Sequence, residues 1–381
     1  YGQKIYTSTD DELDEISKSF NTISDKLEKT IYELQESNTK MKSILTSMLD
    51  GVIALDNSNN IILVNTAVEE IFGIKSEEII GKNIIESTEN KELICIIKEL
   101  MKKGKITSDE IEINHPKHKL ISIHSNIIRL EYDPNRVMGI VIILQDVTDI
   151  RKLENMRKEF VANVSHELKT PLTSIKGFVE TLKSGSCEDI EIRNKFLDII
   201  DIETDRLTYL IQDLLVLSEI ENEDKLIHDD EINIKQNIEQ VIKILNEQAN
   251  KKKISIVKEI DEDILNIRGN KDLFKQMLIN LIDNGMKYTL MGGTVKIKAY
   301  NDKENLCLKI SDTGIGIEKE HLSRLFERFY RVDKARSRQI GGTGLGLAIV
   351  KHIVISFEGT IDVESKIDKG TTFNIKLPLR S

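Results

Sequence analysis

Residues 160–172 read Phe-Val-Ala-Asn-Val-Ser-His-Glu-Leu-Lys-Thr-Pro-Leu and lie in a strongly helical stretch. Apolar residues recur three or four positions apart and leave His166 on the opposite side of the predicted helix, at about 100° per residue. Thr170, four residues on, shares the face of His166, and Glu167 is its neighbour. An exposed imidazole beside a carboxylate suits a nucleophile whose second ring nitrogen is held by a base. A lone surface histidine is more often a solvated side chain, so this interpretation depends on residues further downstream.

A polar stripe lies on the helix predicted from Leu273 to Thr289. Asn280, Asn284, Lys287 and Tyr288 fall at i, i+4, i+7 and i+8, which places them on one face. Amide oxygens suit Mg²⁺ and an ammonium suits phosphate, so the stripe fits a metal-bound triphosphate. The solvated face of an amphipathic helix is an equally good interpretation of the stripe alone.

Two glycine-rich segments follow this helix. Residues 312–317 read Asp-Thr-Gly-Ile-Gly-Ile and come after an apolar run at 306–310 that predicts a strand. The aspartate at the strand end could accept a hydrogen bond from an adenine amino group. Residues 341–348 read Gly-Gly-Thr-Gly-Leu-Gly-Leu-Ala and open a predicted helix, whose free amides favour phosphate. They match neither a P-loop nor a dinucleotide fingerprint, and a flexible loop with a helix cap is the alternative.

Together these segments resemble the sensor histidine kinase family. Six segments occur in the family's order and approximate spacing, namely an H box (165–172), an N box (280–289), a G1 box (312–317), an F box (326–331), a G2 box (342–347) and a G3 element (370–373). Within the family the pattern is similar to the phosphate-regulon and cell-wall sensor subgroup, whose members carry a PAS domain ahead of the kinase core.

The resemblance implies catalytic roles around the H box. His166 would accept the γ-phosphoryl group of ATP, and Glu167 would hold or deprotonate the imidazole. Thr170 would position water for dephosphorylation of a partner. A histidine with an unperturbed pKa of about 6.5 is available as neutral imidazole at cytoplasmic pH.

The resemblance also implies a site for ATP and Mg²⁺. Asn284, with Asn280 nearby, would ligate Mg²⁺, and Lys287 would contact the phosphates. Tyr288 would pack on the adenine, and Asp312 would bind its amino group. The other implied nucleotide-binding residues shape the pocket and its lid: Gly314, Gly316, Gly342, Thr343, Gly344, Leu345 and Gly346.

Composition limits the classes of function. The chain has 381 residues, too many for one domain, and a net charge of −10, which gives no electrostatic case for nucleic-acid binding. Its cysteines, Cys95, Cys187 and Cys307, lie far apart, with no pair at metal or redox spacing. No run approaches the ~20 apolar residues of a membrane span.

The N-terminal stretch predicts a dimeric coiled coil. Residues 10–23 resemble the second half of a HAMP linker, which implies a membrane anchor upstream of residue 1 and makes this chain a cytoplasmic portion. Apolar residues alternate three and four apart through Met48, with a stutter at Leu27–Ile31. Asn38 falls on this seam, where a polar residue can fix the register of a parallel dimer. One amphipathic helix lying on its own domain is the alternative.

Residues 43–149 resemble a PAS domain in their pattern of short strands and helices. His115, His118 and His124 invite a metal or haem hypothesis, but their strand-rich context favours surface positions. The PAS ligand, if there is one, is not readable from the sequence.

The expected fold class is therefore multidomain α+β. Residues 1–42 form a HAMP remnant and signalling coiled coil, and 43–149 the PAS domain. Residues 150–222 form a helical hairpin for dimerisation and histidine phosphotransfer, which pairs into a four-helix bundle. Residues 223–381 form an α/β-sandwich ATP-binding domain of the GHKL type, which gyrase and Hsp90 share.

Three functions remain open at this point. The first is an ATP-dependent, homodimeric protein-histidine kinase that passes its phosphoryl group to an aspartate of a response regulator. The second is an ATPase of the gyrase or Hsp90 type, which the H box and hairpin disfavour. The third is a relay module biased towards phosphatase activity on the regulator, which Thr170 leaves open.

Overall fold

The computed structural model describes residues 4–5, 12–87, 94–96, 109–114, 117–130, 133–184, 189–221, 230–333 and 342–379. The chain divides into two compact units, Tyr1–Lys158 and Glu159–Ser381. The first contains, in chain order, α1 (Glu12–Ser47), β1 (Gly51–Asp56), β2 (Ile61–Val64), α2 (Thr66–Phe72), α3 (Ser76–Ile79), α4 (Ile84–Ser87), β3 (Asp109–Ile113), β4 (Lys119–Leu130) and β5 (Asp133–Asp146).

A long helix, α5 (Thr148–Lys183), crosses from the first unit into the second. The second unit continues with α6 (Ile190–Glu221), β6 (Asp230–Ile232), α7 (Ile234–Lys251), β7 (Ser255–Ile260), β8 (Ile267–Gly269), α8 (Lys271–Tyr288), β9 (Thr294–Asp302), β10 (Asn305–Asp312), α9 (Lys319–Leu322), α10 (Gly346–Ser356), β11 (Thr360–Lys366) and β12 (Gly370–Pro378). None of the helices in the described ranges is both long and apolar enough to cross a lipid bilayer.

The first unit is built on an antiparallel sheet with the strand order β2-β1-β5-β4-β3. A tight turn joins β1 to β2, and Asn59 adopts a left-handed φ of 66° there, which asparagine tolerates better than most residues. The Asp56 carboxylate accepts hydrogen bonds from the backbone N–H groups of Ser58 and Asn60, both at 2.8 Å, and closes the turn. The sequence predicts PAS strands at 52–55, 61–64, 106–113, 120–129 and 137–144, and each is present over its described residues. Residues 106–108 and most of a helix predicted at 91–102 lie outside the described residues.

Helix α1 leaves most of its predicted seam exposed in the single chain. Its exposed apolar side chains include Ile16, Phe20, Ile23, Leu27, Leu34 and Met41, and Met48, directly after the helix, is exposed as well. A stripe of this kind on a 36-residue helix is typical of a coiled coil, and the dimer itself stays a prediction.

Helices α5 and α6 form the predicted hairpin. The rings of Phe178 and Phe196 pack 4.9 Å apart between the two helices. The sequence predicts a turn at 185–189 and a charged linker near 221–230. Residues 185–188 and 222–229 of these segments lie outside the described residues. Near its C-terminal end α6 joins the core of the C-terminal α/β sandwich through Leu210, Leu217 and Ile220, all buried.

The sandwich is a mixed five-stranded sheet with helices on one face. Its strand order is β11-β12-β10-β9-β7, with β7 parallel to β9 and the other pairs antiparallel. Helices α7, α8 and α10 cover the apolar face with fully buried side chains that include Ile238, Phe274, Leu278 and Ile349. The opposite face exposes Lys298, Lys309 and Lys376. The predicted multidomain α+β fold, with its GHKL-type sandwich, is confirmed.

Candidate functional site

A cavity of about 1190 Å³ lies in the second unit, between α6, α8, the end of β10 and the loop that opens α10. The elements that meet there are far apart in sequence, so the fold assembles the site from separate segments. Ten of the predicted nucleotide-binding residues line it: Asn280, Asn284, Lys287, Tyr288, Asp312, Gly316, Gly342, Thr343, Gly344 and Gly346.

Helix α8 presents its polar stripe to this cavity. The helix begins at Asn270, whose side chain accepts hydrogen bonds from the second and third residues that follow, a standard N-cap. The Asn280 amide donates to the Gly346 carbonyl at 3.3 Å and ties α8 to the start of α10. Lys287 Nζ lies 2.8 Å from an oxygen of Asp283, one turn earlier. Because the stripe faces a cavity, the interpretation as a merely solvated helix face loses its support.

Asp312, the last residue of β10, is held in place by backbone groups. Its Oδ1 accepts hydrogen bonds from the N–H of Gly314 at 2.8 Å and from the N–H of Thr371 at 3.2 Å. Burial raises the pKa of the Asp312 carboxyl above its ordinary value, and these two bonds act in the opposite direction.

Gly314 is absent from the cavity lining and lies in the turn behind Asp312. Its expected part in shaping the pocket stays a prediction. The glycine is buried, and a Cβ there would lie 2.6 Å from the Tyr288 carbonyl oxygen. Glycine is needed at this position because the chain turns tightly behind Asp312. Gly316 does line the cavity and has a left-handed φ of 72°.

In the glycine loop before α10, some residues line the cavity and others pack into the apolar core. Gly344 adopts a φ of 77°, and its backbone passes close to Phe329. Leu345 is fully buried in the apolar core and is absent from the cavity lining, so its expected nucleotide-binding role stays a prediction. Its backbone N–H donates to the Thr343 hydroxyl at 3.3 Å. The leucine anchors the loop, and the residues on either side of it face the cavity.

A residue that the sequence did not single out closes the cavity from the hairpin side. Asp213 on α6 accepts a hydrogen bond from Thr343 Oγ1 at 2.7 Å. Burial raises the pKa of the Asp213 carboxyl, while the bond from Thr343 and the nearby charge of Lys287 act to lower it. One aspartate on an amphipathic helix carries no signal of this contact, because its partner is 130 residues away.

His166 is exposed on α5 and is absent from the described residues that line the cavity. The Thr170 hydroxyl donates to the His166 carbonyl oxygen at 3.1 Å and is therefore engaged with its own helix. Glu167 points elsewhere, since neighbouring residues on a helix do not face each other.

Two guanidinium groups hold the Glu167 carboxylate. Its Oε2 lies 3.2 Å from Nη2 of Arg206 on α6 and 3.2 Å from Nη2 of Arg331, which follows the F-box phenylalanines. The side chains of Glu167, Arg206 and Arg331 are 17%, 11% and 6% exposed, respectively, so all three charges are largely removed from water. Loss of either partner would leave a charge buried without compensation. Nearby, the rings of Phe160 and Phe329 pack 5.9 Å apart. These contacts place the H box against the loops of the ATP-binding domain.

Models of known protein families match three separate parts of this chain. Three family models match: the PAS fold over residues 39–147, the His Kinase A (phospho-acceptor) domain over 156–223, and the histidine kinase-, DNA gyrase B- and HSP90-like ATPase over 269–381. A sensor protein kinase WalK of Staphylococcus aureus is 32% identical over 385 residues, which cover 99% of this chain and 90% of that protein. This chain belongs to the sensor histidine kinase family.

Other members of the histidine kinase family are similar over different extents. The WalK of Staphylococcus saprophyticus is 33% identical over 391 residues, covering 99% of this chain and 61% of that protein. This histidine kinase chain thus spans about 61% of the length of that relative. The crystal structure of the histidine kinase ThkA in complex with the response regulator TrrA is similar at 24% identity and a TM-score of 0.49, covering 89% of this chain and 98% of that one.

Proposed function

We propose that this chain binds ATP with Mg²⁺, transfers the γ-phosphoryl group to His166, and passes it on to an aspartate of a response regulator. The observation that carries the proposal is the cavity in which amide, ammonium and carboxylate side chains meet a glycine loop, beside a hairpin that exposes one histidine. Membership of the sensor histidine kinase family supports the same reaction.

Asp312 and Tyr288 suit the adenine end of the nucleotide. Both backbone N–H donors use Oδ1 of Asp312, so Oδ2 is the oxygen that would accept from the adenine amino group. Tyr288 lines the same cavity and is 37% exposed, which leaves a ring face available for stacking.

The other end of the cavity suits phosphates and a divalent cation. The carboxamide of Asn284 and that of Asn280 supply oxygens of the kind that Mg²⁺ prefers, and Lys287 supplies an ammonium. Bound Mg²⁺ would neutralise charge on the phosphates. The backbone N–H groups at the start of α10 point their partial positive charge at the same region.

Phosphoryl transfer to His166 requires an in-line approach of an imidazole nitrogen to the γ-phosphorus. The N–P bond forms as the bond from phosphorus to the bridging oxygen of ADP breaks, and the imidazole then loses its ring proton to a base. Glu167 is the proposed base, once Arg206 and Arg331 release its carboxylate. His166 lies outside the cavity lining, so the ATP-binding domain has to shift along the hairpin before transfer.

The test is labelling of the purified chain with γ-phosphate-labelled ATP and Mg²⁺. We expect acid-labile, alkali-stable label in the wild type and none in His166→Gln. The matched control is His118→Gln, an exposed histidine of the PAS domain, which should label as the wild type does. Label that survives in His166→Gln would overturn the assignment of the phosphoacceptor.

Thr170 is proposed to position the water that dephosphorylates the regulator. In the described arrangement its hydroxyl bonds to the helix backbone, so this role requires a change of side-chain rotamer. Thr170→Ala should keep its label on His166 but remove phosphate from a phosphorylated regulator several-fold more slowly. Thr173→Ala is the control, since Thr173 makes the same backbone bond one turn on. Equal dephosphorylation by both variants would contradict the role.

The remaining proposals concern assembly and location. A homodimer is proposed, as are a membrane anchor outside this chain and the absence of a nucleic-acid partner. They rest on the coiled-coil pattern, the HAMP-like opening and the net charge of −10, respectively.

A further inference from the structure

The contact between Asp213 and Thr343 brings a carboxylate into the cavity from the hairpin. Asp213 Oδ2 is 2.7 Å from Thr343 Oγ1, and the same hydroxyl accepts the N–H of Leu345. The threonine hydroxyl is therefore satisfied in both directions, and the glycine loop is fixed to α6 through it.

The partners of this carboxylate are groups that the proposed function assigns to phosphate. Thr343 lies in the glycine loop, and Lys287, whose Nζ is 2.8 Å from Asp283, lines the same cavity as Asp213. The charge of Lys287 acts to lower the pKa of the Asp213 carboxyl. The Asp213 carboxylate therefore accepts a hydrogen bond from the glycine loop and is attracted by a lysine. A phosphate oxygen bound at the same place would make the same two interactions.

Resting on the proposed function, we propose that Asp213 competes with the nucleotide phosphates for Thr343 and Lys287. Through Asp213, the hairpin thereby lowers the affinity of the ATP-binding domain for nucleotides. Binding of ATP displaces Asp213 and releases the loop from α6.

Electrostatic repulsion determines in which direction Asp213 changes the affinity for nucleotides. A phosphate that reaches Lys287 and the loop comes close to the half-buried carboxylate of Asp213, which has the same sign of charge. Repulsion between partly buried charges is stronger than in water. The effect should grow with the number of phosphates on the ligand and vanish for a ligand that has none. A purely structural role of Asp213 would make no such distinction between ligands.

Asp213→Asn is the informative substitution, because asparagine keeps the size of the side chain and can still accept the Thr343 hydrogen bond. Only the charge is lost. Asp201→Asn is the matched control, since Asp201 is exposed on the same helix, outside the cavity lining, and its loss changes the net charge equally.

The experiment is calorimetric titration of the full chain with ATP, ADP and adenosine in the presence of Mg²⁺. We expect Asp213→Asn to bind ATP about three- to tenfold more tightly than the wild type. The gain in affinity for ADP should be smaller, and adenosine should bind the wild type and Asp213→Asn equally tightly. Asp201→Asn should match the wild type for all three ligands. Asp213→Ser, smaller and also neutral, serves in its place if the asparagine variant does not fold, and the same pattern is expected of it.

Equal ATP affinity in the wild type and the neutral variants would overturn the inference, as would a gain of the same size for adenosine. The two proposals fail in different ways. A wild type that labels His166 while Asp213→Asn binds ATP no better contradicts the competition alone. A wild type that binds no ATP contradicts the proposed function and, with it, the competition.

Discussion

At the scale of single residues, the site depends on charged groups whose orientation is set by backbone. Asp312 is the clearest case, because N–H groups from the turn after β10 and from β12 meet at one of its oxygens. The carboxyl is partly desolvated, which raises its pKa, and the two bonds oppose that shift. A half-buried acid whose Oδ1 is fixed by two backbone N–H groups presents its other oxygen in a defined direction, which suits it to recognise one edge of a base.

Replacement of Asp312 by asparagine tests base recognition. The amide oxygen can still accept both backbone bonds, so we expect the fold to be kept. The amide nitrogen would then face the adenine amino group, donor against donor, and ATP affinity should fall at least about tenfold. ITP carries an acceptor oxygen at that position, to which the amide nitrogen can donate, so the variant should bind ITP at least as tightly as the wild type does. Calorimetric titration with both nucleotides makes the comparison, and an equal loss for ATP and ITP would count against the adenine contact.

At the scale of elements, the hairpin carries apolar surface that a single chain does not bury. Val161 and Leu172 are exposed on α5, at positions 11 apart that lie within about 20° of each other around the helix. Leu197, Ile211 and Leu215 form a similar stripe on α6. Helix stripes of this kind are typical of bundles that complete their core with a second hairpin.

Leu215→Glu should therefore weaken the dimer at least about tenfold, because it would place an unpaired charge in the bundle core. Lys195→Glu, a charge change at an exposed position of the same helix, is the control and should leave the dimer intact. Analytical ultracentrifugation over a range of concentrations measures both. If Leu215→Glu sediments as the wild type does, the bundle interface does not include this face of α6.

At the scale of the whole molecule, local patterns predicted more than contacts between distant segments. Helix α8 and the strand before Asp312 were predictable, because periodicity and flanking residues are properties of short stretches. Of the twelve nucleotide-binding residues predicted from the box motifs, ten line the cavity. The motifs do not tell which loop residues face the cavity and which, such as Gly314 and Leu345, pack behind it. That difference depends on the side chains and backbone that pack against each loop.

The ties between the hairpin and the ATP-binding domain were not predictable from sequence. Asp213 meets Thr343, and Glu167 meets Arg331, across 130 and 164 residues, respectively. Sequence reasoning paired Glu167 with His166 because they are adjacent, whereas adjacency on a helix turns the two side chains apart. The role of Glu167 as base stays a prediction, and it requires Arg206 and Arg331 to release the Glu167 carboxylate.

The measurement that tests the central claim most directly is the location and amount of phosphate after reaction of the wild-type chain with ATP and Mg²⁺. Peptide mapping under alkaline conditions should find the phosphoryl group on the peptide that contains residues 160–172, at His166. His166→Gln should bind ATP as tightly as the wild type and carry no phosphate. Phosphate on any other residue, or ATP binding by the wild type with no phosphohistidine formed, would contradict the account.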